Sequence, residues 1–186
     1  MRAFIAIQVP DDIRQYARML RNELGRARPD IKWVEYQNYH LTVKFLGEVE
    51  NKNTAELKRN LKLAAEAVPA FNLSAGGIGF FPNQVHPRVM WMGIKGEIEK
   101  AEFLGDRVDA YLSTMGFEPD QDHQPHLTLG RIRSENNMKE MLNLLEKLPG
   151  KDKLRSFRIE NFQLMQSILE ASGPQYTVLD TYRLNG

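Results

Sequence analysis

Apolar runs and helically spaced apolar residues alternate along the chain. Residues 2–9 form a short apolar run that Pro10 ends, which predicts a first strand. The same pattern predicts further strands at 40–47, 71–74, 88–94, 126–132, 157–165 and 176–183. Apolar residues at helical spacing predict four helices, with stripes at 13–24, 57–68, 104–115 and 138–148. The glycine-rich segment 76–79 is predicted to be a turn.

This order of elements occurs twice. A shift of 86 residues superimposes Arg2 on Arg88, His40–Thr42 on His126–Thr128, and Phe71 on Phe157. Three predicted strands repeat at this one offset, whereas the helices repeat at different offsets. Changes in loop length between two similar lobes would produce this difference. We therefore predict an α+β fold in a single domain, residues 1–186. Two pseudo-twofold lobes, each an antiparallel sheet with helices on its outer face, enclose a central cleft. The alternative is a coincidence among ordinary α/β patterns.

The composition is that of an ordinary globular protein. Of the 186 residues, 42% are hydrophobic and 26% are charged. A single domain of this size can bury a hydrophobic core without disulfides or structural metals. The formal net charge of +1 argues against non-specific binding of long nucleic acids. The absence of cysteine excludes disulfides, thiolate zinc sites and cysteine nucleophiles. No apolar stretch is long enough for a signal peptide or a membrane span, so we expect a cytoplasmic location.

Two of the four histidines open the same tetrapeptide pattern, His40-Leu41-Thr42-Val43 and His126-Leu127-Thr128-Leu129. Alternate residues of a strand share a face, so each histidine points to the same side as the threonine two residues later. A lone histidine on a strand is more often a surface or hydrogen-bonded residue than a catalyst. The recurrence of the pattern in the shared register favours function.

Two imidazoles with two hydroxyls suit phosphoryl chemistry without a metal. A neutral imidazole can take a proton from an attacking water, and a protonated imidazole can give one to a leaving oxygen. The hydroxyls of Thr42 and Thr128 can hydrogen-bond the non-bridging oxygens of a phosphate. A strained five-membered cyclic phosphate needs little further assistance, so no metal or other cofactor is expected.

The extended motifs at 40–47 (HLTVKFLG) and 126–131 (HLTLGR) resemble the paired HxTx signatures of the 2H phosphoesterase superfamily. The resemblance is greatest to RNA 2′,3′-cyclic phosphodiesterases, historically called 2′-5′ RNA ligases. Residues 1–7, 79–82, 87–91 and 173–176 resemble the same group, so the resemblance covers nearly the whole chain.

This resemblance implies hydrolysis of the 2′,3′-cyclic phosphate at an RNA end, with a possible second activity, reversible 2′-5′ RNA ligation. It implies that His40 is the proton donor, His126 is the proton acceptor, and the product is a 2′-phosphate. The residues alone leave these two roles open, because the motifs are identical and the reverse reaction exchanges them. The expected partners are RNA ends or nucleoside 2′,3′-cyclic phosphates, and the protein is expected to be a monomer without a protein partner.

The residues after each motif give further candidates. Arg131 is predicted to bind a phosphate oxygen, because a guanidinium suits that task. Strict alternation places Arg131 opposite His126, so either the strand ends at Gly130 or the backbone bulges there. Alternation also predicts Lys44 on the His40 face, as an added positive charge or a solvated residue, and Phe45 in the core. Nucleobase stacking is considered for five aromatic residues: Trp33, Tyr36, Phe80, Phe81 and Trp91, the last of which is expected in the core.

Other functions remain open at this point. His123 and His126 with Asp122 could bind a metal, but no HExxH pattern or cysteine accompanies them. The chain could instead be a nucleotide-binding module that does not turn over, or a phosphodiesterase for a small cyclic nucleotide. Both motifs are complete, which favours an RNA-end enzyme over a binding module.

Overall fold

Nine strands and four helices alternate along the chain in the computed structural model, which describes residues 1–186. Strands β1 to β9 span Arg2–Gln8, Ile31–Trp33, His40–Glu48, Phe71–Phe81, Val89–Gly96, His126–Ile132, Arg155–Ile159, Asn161–Glu170 and Gly173–Arg183. Helices α1 to α4 span Asp11–Leu24, Thr54–Ala65, Ile98–Ser113 and Met138–Glu146. The four predicted helices are confirmed to within a few residues at their ends. The three-residue strand β2 was not predicted, because it is too short to show a period.

All nine strands belong to one sheet. Eight of them follow the order β7-β4-β5-β6-β3-β1-β8-β9, and β2 pairs with β6. Every pair of neighbouring strands is antiparallel. Helix α2 packs on α3, and α1 packs on α4. The predicted α+β fold class is confirmed.

The core lies between the helices and one face of the sheet. In β1, Ala3, Ile5 and Ile7 pack in a cluster of 41 buried residues that includes apolar residues of all four helices. Phe4 and Ala6 point to the other face and pack with Met165 in a small separate cluster. This alternation shows that the second face carries the cleft. None of the helices has both the length and the apolar character needed to cross a membrane.

The sheet is joined at its centre by one pair of residues. Strands β3 and β6 are neighbours, and Leu41 pairs with Leu127 across them. These two residues are equivalent under the 86-residue shift, and both are fully buried. Extending the antiparallel register by one residue places His40 opposite Thr128 and Thr42 opposite His126. The two histidine motifs therefore lie side by side at the centre of the sheet.

The two lobes are not the two halves of the sequence. The first lobe consists of β1, β3, β8 and β9, and the second lobe consists of β4, β5, β6 and β7. Strand β8 from the second half thus pairs with β1, and β4 from the first half pairs with β5. The single strand predicted at 157–165 is two strands, separated at Glu160, and Phe157 pairs with Leu73 beside Phe71 in one lobe. The repeat in the sequence therefore does not divide the chain into two contiguous lobes.

The predicted turn at 76–79 is also wrong, because these residues lie inside β4. The register of β4 with β5 shifts between Ala75 and Ile78, and Gly77 has a φ of +75°. Glycine permits this bulge. Gly79 has a different role, since an added Cβ would lie 2.2 Å from the Trp91 ring. The glycines therefore serve a bulge and a close approach of an aromatic ring.

Candidate active site

A β-bulge follows the histidine motif in both central strands. In the pairing of β1 with β3, the register shifts between Ile5 and Ala6 and leaves Val43 as the extra residue. In the pairing of β5 with β6, the register shifts between Met90 and Trp91 and leaves Leu129 as the extra residue. Val43 and Leu129 are again 86 residues apart. Each bulge inverts the alternation of side chains after the threonine.

These bulges decide which of the following residues face the cleft. Arg131 is exposed on the cleft side, as predicted for a bulged strand. Phe45 is its equivalent in β3, and it is 72% exposed there, so the prediction that it is a core residue is wrong. Lys44 is only 3% exposed and pairs with Ile5, whose side chain packs in the core, so its predicted position on the histidine face is also wrong.

The cleft consists of two adjoining cavities on this face. The larger cavity, of about 510 Å³, is lined by His40, and the smaller cavity, of about 450 Å³, is lined by His126. Four residues line both cavities: Thr42, Phe45, Thr128 and Arg131. The structure thus brings together all five residues predicted for the site, His40, Thr42, His126, Thr128 and Arg131.

His40 is half-buried and oriented by two hydrogen bonds. Its Nδ1 lies 2.7 Å from the backbone oxygen of Asn38, which can only accept, so Nδ1 carries a proton. Its Nε2 lies 2.9 Å from Oγ1 of Thr42, on the cleft side. Burial lowers the pKa of His40, against the opposing effect of the bond to Asn38, and the positive charge of Arg14 lowers it further. The free protein therefore favours a neutral imidazole whose Nε2 accepts the hydroxyl proton of Thr42.

Two aromatic rings and one amide hold His40 in place. The rings of Phe4 and Tyr176 lie 5.0 and 5.4 Å from the imidazole. Burial raises the pKa of the Tyr176 hydroxyl. The side chain of Asn38 donates to the backbone oxygen of Pro174, 2.9 Å away. The sequence did not predict a role for Asn38 or Phe4, because neither belongs to a recognisable motif. Each contacts His40 only because of its position in the fold.

His126 lies in a more open environment. Its side chain is exposed at the start of β6, and the ring of Trp91 lies 6.4 Å away. Trp91 was expected in the core but is half-buried and pairs with Thr128. Of the other aromatic candidates, Trp33 lines the larger cavity, while Tyr36, Phe80 and Phe81 line neither cavity.

Lys44 connects β3 to the segment that leads into His126. Its ammonium donates to Oδ1 of Asp109 at 2.6 Å and to the backbone oxygen of Glu118 at 2.7 Å. Asp109, on α3, also contacts Nε2 of His123 at 2.5 Å and accepts the backbone N–H of Asp120 at 3.1 Å. This buried network fixes the loop before β6 relative to the strand of His40. A sequence pattern could not reveal it, because its members lie up to 79 residues apart.

The same network bears on the metal hypothesis. Asp109, Asp120 and His123 present ligand atoms within 4.8 Å of one another. The ammonium of Lys44, however, lies 2.6 Å from Asp109 and 3.5 Å from Asp120. A cation between the two carboxylates already compensates their charge, so these residues fit an ionic network better than a metal site. Asp122 is exposed outside this cluster, and His86 pairs with Glu135 at 2.7 Å.

Comparison with known proteins gives one consistent family. A family model described as LigT like Phosphoesterase matches residues 7–91 and 95–176. The chain belongs to this LigT-like phosphoesterase family. A relative from Archaeoglobus fulgidus, named RNA 2′,3′-cyclic phosphodiesterase, is 35% identical over 98% of this chain and 99% of its own length. A protein of the same name from Methanothermobacter thermautotrophicus is 30% identical over 99% of both chains.

Solved structures of LigT-like proteins share the fold. The Thermus thermophilus protein TT0787 superimposes with a TM-score of 0.79 and 26% identity, covering 100% of this chain and 99% of its own. E. coli LigT in complex with 3′-AMP superimposes with a TM-score of 0.75 and 26% identity, covering 100% of this chain and 98% of its own. The resemblance to the 2H phosphoesterases inferred from the motifs is thereby confirmed.

Removal of Asp109 tests the buried network. In Asp109→Ala, the ammonium of Lys44 stays buried without its main partner, and breaking such a pair costs about 3–5 kcal/mol. We expect the free energy of unfolding in urea to fall by that amount. In the control Glu50→Ala, which breaks an exposed pair with Lys52, the loss should be below about 1 kcal/mol. Equal losses in the two variants would contradict the structural role of the network.

The environment of His40 gives a prediction for its titration. Burial lowers its pKa, so the imidazole should titrate below its ordinary value of 6.5 in the free protein. A phosphate anion in the cleft favours the imidazolium and should raise this pKa. NMR of labelled histidine, with the signal assigned through His40→Gln, measures both values. A pKa at or above 6.5 without phosphate, or one that phosphate leaves unchanged, would refute this account.

Proposed function

We propose that this protein hydrolyses the 2′,3′-cyclic phosphate at the end of an RNA to a terminal 2′-phosphate. The carrying observation is that β3 and β6 bring both histidine-threonine motifs onto one face, with each histidine opposite the threonine of the other motif. Arg131 lies beside them in both cavities. The names of the relatives from Archaeoglobus fulgidus and Methanothermobacter thermautotrophicus support this substrate.

In the proposed mechanism the two histidines act on opposite sides of the phosphorus. His126 takes a proton from water as its oxygen bonds to phosphorus, and the bond from phosphorus to the 3′ oxygen breaks. His40 gives its Nε2 proton to that leaving oxygen. One water is consumed, His126 gains a proton and His40 loses one. The product carries a 3′ hydroxyl and a 2′-phosphate. If the 5′ hydroxyl of a second RNA attacks in place of water, the same bond to the 3′ oxygen breaks and the product is a 2′-5′ linkage, which is the ligation reaction.

The surrounding side chains position the phosphate. The hydroxyls of Thr42 and Thr128 are placed to donate to its non-bridging oxygens, where the charge grows in the transition state. Arg131 reaches the cleft because of the bulge at Leu129. Its guanidinium can donate two parallel hydrogen bonds to the non-bridging phosphate oxygens. The proposed step requires no metal or other cofactor.

The two histidine environments support the assignment of His40 as the donor. His126 is exposed, which gives an attacking water direct access to it. His40 is half-buried, and the bond from Nδ1 to Asn38 keeps Nε2 directed at the cleft. Burial lowers the pKa of His40, while the charge of a bound phosphate acts in the opposite direction, so substrate binding favours its protonation.

Other sequence-based expectations remain proposals. We propose that residues 1–186 form one functional domain, since the site takes residues from both lobes. The protein is proposed to be a cytoplasmic monomer that acts without a protein partner.

Turnover without metal tests the proposed reaction. Adenosine 2′,3′-cyclic phosphate should be opened in EDTA to the 2′-phosphate, with the product isomers separated by chromatography. His40→Ala and His126→Ala should each lower kcat by about 10²- to 10⁴-fold, since each removes an acid or a base. His86→Ala is the control, because His86 is exposed and lines neither cavity. Saturable binding without turnover would indicate a binding module instead, and loss of turnover in EDTA would refute the metal-free mechanism.

A sulfur substitution distinguishes the acid from the base. In a cyclic phosphorothiolate with sulfur at the bridging 3′ position, the leaving group is a thiolate, whose pKa of about 8.5 removes the need for a proton donor. His40→Ala should recover at least about tenfold of its lost rate on this substrate, while His126→Ala should not. Recovery in His126→Ala alone would reverse the assignment. Wild-type protein provides the reference rate for both substrates.

A further inference from the structure

Unpaired positive charge is concentrated in the larger cavity. Arg2, Lys32 and Arg131 all line it, and none of them has an acidic partner within salt-bridge distance. The only acidic residue in its lining is Glu35, which pairs with Arg21 at 3.4 Å. For a chain with a formal net charge of +1, this is a strong local excess.

Two of these cations are held next to each other. Lys32 in β2 lies directly opposite Arg131 in β6, so their side chains share the cleft face. Like charges in such a pair destabilise a sheet. Arg2 lines the same cavity from β1, on the same face of that strand as Phe4. The positive charges of Arg131 and Arg2 both act to lower the pKa of the Tyr176 hydroxyl, against the effect of its burial. An anionic ligand between them would relieve the repulsion.

The smaller cavity has no such excess of positive charge, because its acidic and basic residues are equal in number. Its lining includes Asp120 and Asp122, and Asp122 is exposed with no basic partner. Its own lysine, Lys44, is buried and already bound to Asp109. The excess of positive charge is therefore confined to the His40 side of the cleft, although the two motifs are identical.

From this asymmetry we infer a subsite, formed by Arg2 and Lys32, for the backbone phosphate on the 5′ side of the terminal nucleotide. The inference rests on the proposed function and assigns the residues that favour an RNA end over a free cyclic mononucleotide. The RNA body leaves the cleft through the larger cavity, because only there does the lining carry an excess of positive charge. Arg131 is proposed to bind the terminal cyclic phosphate, so Arg2 and Lys32 are two further cations that are available for the backbone phosphate.

This direction also relates the subsite to the chemistry. In an in-line opening of the ring, the ribose lies on the side of the leaving 3′ oxygen, and the water enters on the opposite side. A chain that runs past Arg2 and Lys32 places its ribose next to His40. The subsite thus agrees with His40 as the donor and leaves the exposed His126 side to water.

A pair of substrates tests the subsite. The dinucleotide ApA with a 2′,3′-cyclic phosphate carries the backbone phosphate, and adenosine 2′,3′-cyclic phosphate lacks it. Arg2→Ala and Lys32→Ala should each lower kcat/KM for the dinucleotide by about three- to tenfold, with less than about twofold change for the mononucleotide. In each variant the salt dependence for the dinucleotide should become less steep, by about 0.7 in the log–log slope.

The control is Arg88→Ala. Arg88 is the equivalent of Arg2 under the 86-residue shift, is exposed, and lines neither cavity. It removes the same charge and should leave the ratio of the two substrates unchanged. Equal losses on both substrates, or a loss in Arg88→Ala as large as in Arg2→Ala, would overturn the subsite.

Mononucleotide turnover reports the proposed function separately. If wild-type protein opens neither substrate, the proposed function fails, and the subsite is then judged from the dissociation constants of the two 2′-phosphate products. Tighter binding of the dinucleotide product that weakens in Arg2→Ala and Lys32→Ala would support the subsite. Equal binding of the two products would refute it.

Discussion

The pairing of β3 with β6 is the constraint on which the site depends. The two strands meet at one pair of buried leucines, Leu41 and Leu127. Because the register is fixed there, the residues on either side of each leucine point into the cleft, and both histidine-threonine motifs share that face. The geometry of the candidate site is therefore set by the pairing of the strands, and no flexible loop is needed to bring the histidines together.

The sequence was informative where a period or a repeat carried the signal. The helices, the strands β1, β3, β5 and β6, and the paired histidine motifs follow from apolar spacing and the recurrence at 86 residues. The sequence did not predict the places where one extra residue in a strand reverses the face toward which the following side chains point. The bulges at Val43 and Leu129 direct Phe45 and Arg131 into the cleft, and only for Arg131 did the chemistry of the side chain suggest such a bulge.

Long-range polar contacts could not be predicted for a different reason. Lys44 is a charged residue in a strand, and the usual expectation is that it is solvated. Its burial depends on Asp109 from a helix and Glu118 from a loop, whose proximity only the tertiary fold establishes. The same holds for Asn38, which receives no periodic signal yet fixes the tautomer of His40 and reaches the β8–β9 hairpin.

The exchange of strands between lobes limits how such a protein can be divided. The first half of the chain supplies β4 to the second lobe, and the second half supplies β8 and β9 to the first. A polypeptide of one half alone would leave one side of β1 unpaired and Phe4 without Met165. Such a fragment could complete its sheet only by swapping a strand with a second copy. The two halves of the chain therefore depend on each other for a complete sheet.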